Sequence, residues 1–119
     1  MSEHDDAPPR RELNIRKPYF DLIATGIKTV EVRVGYPSMR KIQPGQQLDF
    51  VSGDQRLATR VLRMSEYASF EDMLKDEDPV AIGGDLGKNT DELLAVIRGI
   101  YPPEKENLGV LAIAVEVIR

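Results

Sequence analysis

Three charged residues of the stretch GIKTVEVR (residues 26–33), namely Lys28, Glu31 and Arg33, hold the densest potential chemistry in this 119-residue chain. A lysine and an arginine beside one carboxylate can hold a phosphate or a carboxylate ligand. Glu31 could at the same time accept a hydrogen bond from a base amine or a ribose hydroxyl. In a strand, Glu31 and Arg33 project from the same face, with Cα atoms roughly 6.5–7 Å apart. Lys28 has the opposite parity, but it stands at the first residue of the strand, where parity is loosely enforced. By spacing alone the same three residues also describe a solvated strand face.

Few other residues compete with them. The single histidine, His4, lies in a polar N-terminal stretch, and there is no cysteine. Triads built on an ordered imidazole, thiolate nucleophiles, disulfides and most zinc sites are therefore excluded. Any catalysis must rest on Lys, Asp/Glu, Tyr, Ser/Thr or backbone groups. Asp76, Glu77 and Asp78 are consecutive, which suits a solvated helix end better than a metal site, so no metal and no cofactor are expected. Tyr19 and Tyr67 could stack on a base or be half-buried core. Arg40 and Lys41 could contact phosphates or belong to a solvated loop.

The elements that must position these residues follow from periodicity. ELNIR, residues 12–16, alternates and reads as a short strand. Pro18 suits the first position of a helix, and Tyr19, Leu22 and Ile23 follow at helical spacing. Gly26 closes that helix, because glycine adopts the left-handed conformation at little cost. After Gly26 the period becomes two, with Val30, Val32 and Val34 on one face and Thr29, Glu31 and Arg33 on the other. Gly35 and Pro37 break the strand. QLDFVS and RLATRVLRMSEYA are two further strands about an SGDQ turn, and Ser69 with Asp72 makes a capping box ahead of FEDMLKDE. Residues 78–87 read as a loop or broken turn. NTDELLAVIRGI is a helix with Thr90 as its N-cap and an apolar stripe of Leu93, Leu94, Val96, Ile97 and Ile100, stopped by Pro102 and Pro103. GVLAIAVEVIR is apolar on both faces as far as Val115 and so should be a central strand.

This order points to a single α+β domain over residues 11–119, preceded by a disordered tail, residues 1–10. Five or so short strands in hairpin connection suggest a small, partly closed, mostly antiparallel barrel with helices around it. No apolar run is long enough to cross a membrane and no targeting segment is visible, so the expected location is the cytoplasm. Charge is segregated: eight basic residues and three acids lie between Arg10 and Lys41, and nine acids and two lysines between Met64 and Glu92. That asymmetry suggests one face that attracts anions and another that repels them. The acidic stretch 66–92 is also a candidate surface for a protein partner.

KPYFDLIATGIKTVEVR, a strand-to-helix corner followed by G-x-K-x-x-E-x-R, resembles the signature of the ASCH domain family. The later acidic helix, the helix ending IRGIYP and the apolar terminal strand fit the same pattern, so the resemblance covers about residues 12–119. It implies a PUA-like barrel of five to six strands with a cleft between the barrel and the helix before the motif. The motif residues presented to that cleft would be Gly26, Lys28, Glu31 and Arg33, with Tyr19, Arg40 and Lys41 as further ligand-binding candidates. The implied ligand is RNA or a nucleotide. One branch of the family hydrolyses 4-acetylcytidine nucleosides with the motif lysine, a threonine three residues later and a distant glutamate; other members are ribonucleases. Here Lys28 matches that lysine, but Glu31 replaces the threonine and Leu86, beside Asp85, stands near the expected glutamate. If the chain is an enzyme, Lys28 and Glu31, with Asp85, are its catalytic candidates, although Glu31 would favour the inactive ammonium form of Lys28. Binding and catalysis both remain open at this point.

Overall fold

The computed structural model describes residues 9–83 and 90–119. Its elements are β1 (Arg11–Asn14), α1 (Lys17–Ala24), β2 (Val30–Val34), β3 (Gln47–Ser52), β4 (Gln55–Tyr67), α2 (Phe70–Asp76), α3 (Thr90–Ile100) and β5 (Val110–Val117). Short 3-10 segments occupy Met39–Lys41 and Pro103–Leu108. The five strands form one curled sheet in the order β1-β3-β4-β5-β2, in which only β1 and β3 run parallel. The expected mostly antiparallel α+β architecture is therefore present, with five strands.

β5 is the central organiser, as its two apolar faces require. Val110, Ala112 and Ala114 face a cluster that includes Val30, Val34, Phe70, Met73, Leu93 and Ile97, under α2 and α3. Ile113 and Val115 face the opposite cluster inside the curl, with Leu13, Phe20, Ile23, Leu48, Phe50 and Val61. One strand thus serves two cores, and α1 caps the inner one through Phe20 and Ile23. β4 bends at a bulge between Val61 and Arg63, where Leu62 has no partner on β5 and is pushed outward.

The curl brings the sheet's two edges, β1 and β2, close enough for a side chain to join them. The Arg33 guanidinium on β2 donates from Nη2 to the Asn14 carbonyl at the end of β1, at 2.7 Å. The barrel is closed there by a side-chain clasp rather than by a backbone ladder. The chain is tied down from its first described residues: the Gln46 side chain donates to the Pro9 carbonyl, and Arg10 lies 3.7 Å from the buried Asp49. Residues 1–8 lie outside the described residues. No helix among the described residues is long and apolar enough to cross a membrane.

Candidate functional site: a cleft over a buried ion cluster

The corner between α1 and β2 is set by backbone bonding. Pro18 sits in the first turn of α1, where its missing N–H costs nothing. At the other end, the Gly26 N–H donates to the Ile23 carbonyl and the Ile27 N–H to that of Leu22, with φ of Gly26 at +84°. This is the double bond pattern of a Schellman termination. The Lys28 N–H reaches the same Leu22 carbonyl, so the lysine's backbone is held at the corner and its side chain turns inward. The turn at residues 78–83 then covers it. The Ala81 carbonyl accepts from the N–H groups of Thr29 and Val30, and the Ile82 carbonyl accepts from Lys28 Nζ.

The result is a buried ion cluster. Lys28 is only 4% exposed and Glu31 6%. Lys28 Nζ donates to the carbonyls of Val30 at 2.6 Å and Ile82 at 2.9 Å, and lies 3.1 Å from Glu31 Oε1. Glu31 Oε2 accepts from Arg33 Nε at 2.5 Å. An ammonium has three N–H groups, and here all three have acceptors; both Glu31 oxygens are likewise engaged. Burial pushes the Lys28 pKa below its ordinary value, and the nearby Arg33 adds to this, while the charge and hydrogen bond of Glu31 push it back up. Glu31 does favour the ammonium, as its position in the sequence suggested, but desolvation is the larger influence.

Over this cluster opens a cleft of about 230 Å³. Asn14, Ile15, Arg16 and Tyr19 line one side; Lys28, Glu31 and Arg33 form the polar floor; and Val96, Ile97, Ile100 and Tyr101 form an apolar wall. Val96 and Ile100 of α3 are 39% and 45% exposed, large apolar side chains left facing the cleft. The Tyr19 ring lies 5.9 Å from Lys28 Nζ. Tyr101 stacks on Phe70, and burial pushes its hydroxyl pKa up. Among the described residues, neither the Arg16 guanidinium nor Arg33 Nη1 has a hydrogen-bond partner, so the free cationic donors of the cleft belong to two arginines, of which Arg33 is also paired with Glu31.

Of the site residues expected from the sequence, Tyr19, Lys28, Glu31 and Arg33 meet at this cleft. Gly26 does not line it; it shapes the corner and lines a second hollow, of about 340 Å³, on the far side of Lys28. Arg40 lies elsewhere. Its guanidinium donates from Nη1 and Nη2 to Glu66, from Nε to the Gly35 carbonyl and from Nη2 to the Leu108 carbonyl, tying three segments together. Lys41 is exposed and outside the cleft. Tyr67 is also away from it: its one hydroxyl hydrogen is shared between Asp76 and Glu77, whose oxygens lie 2.6 and 2.7 Å away, and burial with those two carboxylates pushes its pKa up. Asp85 lies outside the described residues. The acidic stretch 66–92 uses Glu66, Asp76 and Glu77 in internal bonds; Glu77 is gripped by Arg63 at 2.7 and 2.9 Å.

The sequence reading did not single out Gly83, Asn14, Tyr101 or the cleft-facing role of Val96 and Ile100. Gly83 has φ of +92°, and a Cβ there would lie 3.1 Å from Lys28 Cδ and 3.2 Å from Tyr19 Cδ1. It is the glycine that lets the covering turn lie against the lysine. The one signal available was the excess width of the α3 stripe, which is broader than a single buried face needs.

The family model described as ASCH domain matches residues 13–119. The chain belongs to the ASCH domain family. Among solved structures it is similar to hypothetical protein PH0355, with 32% identity and a TM-score of 0.83 over 92% of this chain and 99% of that one. It is also similar to protein PF0455 from Pyrococcus furiosus, at 31% identity and a TM-score of 0.73, over 92% and 98% of the two chains. An ASCH domain from Lactobacillus crispatus JV V101 shares the fold, with a TM-score of 0.66 at 15% identity, over 98% of this chain and 86% of that one. No curated protein matches the sequence. In this ASCH domain the motif residues Lys28, Glu31 and Arg33 are thus an internal ion cluster, of which only Arg33 keeps unpaired donors toward the cleft.

Proposed function

We propose that this ASCH domain binds RNA or a nucleotide-like ligand in the cleft, in keeping with the RNA-binding role broadly proposed for the family. One observation carries the reading: two arginines with free donors, Arg16 at the rim and Arg33 in the floor, stand opposite an apolar helix wall, while Lys28 and Glu31 have every donor and oxygen engaged. Such a cleft asks for a flat, partly apolar body that also presents acceptors or negative charge. A nucleotide has both. The volume, below the roughly 300–1,000 Å³ of pockets for drug-sized ligands, suits one nucleotide unit at a time.

The alternative, an amidohydrolase acting on 4-acetylcytidine-type nucleosides, needs Lys28 as base or nucleophile. Burial lowers its pKa, which helps that role. Its three N–H groups, however, are directed at three acceptors, and a lone pair would have to be turned onto one of them. That geometry favours binding over hydrolysis. A ribonuclease reading finds no general acid–base pair among the described residues of the cleft beyond this same cluster.

The test is titration of short single-stranded RNA at about 50 mM salt, where phosphate contacts are strong. Affinity should fall steeply as salt rises, and Arg16→Ala should weaken binding at least several-fold. Absence of binding, or unchanged affinity in Arg16→Ala combined with Arg33→Ala, would overturn the proposal. Incubation with 4-acetylcytidine should give no deacylation above the Lys28→Ala background.

A further inference from the structure

The two arginines of the cleft that keep free donors are not equivalent. Arg16 is exposed at the rim and has no partner among the described residues to fix it. Arg33 is half-buried and held on one side of its plane: Nε is spent on Glu31 and one Nη2 hydrogen on the Asn14 carbonyl. A guanidinium has five N–H groups. The two on Nη1 and the second on Nη2 remain, and one from each nitrogen make up the end-on fork of the group. That fork is immobilised by Glu31, which is itself anchored by Lys28. Its orientation is therefore set before any ligand arrives, so little side-chain entropy is lost on binding.

A fixed fork of two parallel donors recognises two adjacent acceptors. Phosphate oxygens offer such a pair, and so does the edge of a 6-oxopurine that faces away from its sugar. The O6 and N7 atoms of a 6-oxopurine lie side by side as acceptors on the edge remote from the ribose, whereas adenine puts an amino donor beside N7, uracil separates its two carbonyls by an N–H, and the O2 and N3 pair of cytosine lies against the ribose. Depth decides between the phosphate and the base. Phosphate is strongly hydrated and costly to bury, so it suits the exposed Arg16. A flat base suits the interior, against Val96, Ile97 and Ile100, where Arg33 stands.

We propose that the cleft selects a 6-oxopurine nucleotide, guanine in RNA, with the Arg33 fork on O6 and N7 and Arg16 on the phosphate. Glu31 and Lys28 are positioning residues for that fork. The inference rests on the nucleotide-binding reading above and narrows it to one base class.

The experiment compares binding of GMP, AMP, CMP and UMP, and of the four single-base trinucleotides, to the full chain. Guanine should be preferred by about tenfold or more, the discrimination expected of one bidentate pair. IMP, which keeps O6 and N7, should bind like GMP, and 7-deaza-GMP should lose most of the preference. These ligand comparisons use the unaltered protein, so they do not depend on any variant folding. Arg33→Lys, if folded by circular dichroism, should bind all four bases alike while keeping a salt-dependent affinity. Equal binding of the four bases, or binding of ribose 5-phosphate as tight as GMP, overturns the base assignment and leaves the nucleotide reading standing. No binding by any nucleotide or trinucleotide overturns both.

Discussion

Replacing Glu31 by glutamine tests the ion cluster most directly. The substitution keeps shape and one acceptor but removes the charge between Lys28 and Arg33. Two cations then share a site where Lys28 is 4% exposed and the Lys28 pair with Glu31 spans 3.1 Å. Breaking a buried pair from one side typically costs about 3–5 kcal/mol, because a charge is left uncompensated. Arg33 sits nearer solvent, with its side chain 21% exposed, which pulls the expectation to the lower half of that range. For a domain of this size, 1 kcal/mol moves the melting temperature by about 4 °C, so a drop of roughly 12–16 °C is expected. Thermal unfolding followed by circular dichroism at pH 7 reads it. Combining Glu31→Gln with Lys28→Met removes the orphaned cation as well, so the double variant should be more stable than the sum of the two single effects predicts. A loss of less than about 4 °C for Glu31→Gln, or strict additivity in the double variant, would show that the cluster behaves as a surface pair.

Stability should also depend on pH through Lys28, whose folded pKa is lowered mainly by burial. Below that folded value both states carry the proton and the burial penalty is present in full. Between it and the unfolded value near 10.4 the unfolded chain binds more protons, so stability rises with pH. The difference between wild type and Lys28→Met in urea titrations should shift in that sense as pH approaches about 10, and a flat difference would refute the assignment. Gly83→Ala should cost about 1–2 kcal/mol, since the residue sits at φ +92° and the new methyl would press on Lys28 and Tyr19; denaturant midpoints at constant slope would register it. Arg40→Ala should lower the melting temperature, because it frees Glu66 and the carbonyls of Gly35 and Leu108, yet leave nucleotide affinity unchanged. Loss of binding in that variant would return Arg40 to the site.

Much of the frame was legible because it is local. Pro18 and Gly26 bracket α1 by backbone requirements alone, Ser69 accepts from the Asp72 N–H as the capping pattern foretells, and the two apolar faces of β5 announce a central strand. The motif residues were recognisable too, since Lys28, Glu31 and Arg33 do converge. Their burial was not. It depends on the turn at 78–83 folding over the corner, a contact between segments some fifty residues apart that no spacing rule anticipates. The strand face was also hard to read: Val30 and Val34 pack beneath the helices while Glu31 points into the curl beside Ile113. Alternation shows that two faces differ, not which one meets solvent. Arg40 and Tyr67 look like ligand contacts in a linear reading because their partners, Glu66 and Leu108 for one and Asp76 and Glu77 for the other, are assigned only by tertiary structure.

The place of β5 also governs the timing of folding. It follows the other four strands of this sheet in the sequence, yet it lies between β4 and β2 and supplies side chains to both cores. Val30 must wait for Ala114 before its strand has any ladder partner. Until that segment has emerged from the ribosome, β2 and the bulged end of β4 lack the strand they pair with. Such long-range pairing is slow and exposed to misassociation. A nascent chain stalled just before Gly109 should be open to protease, and emergence of β5 should convert it in a single step to the resistant form.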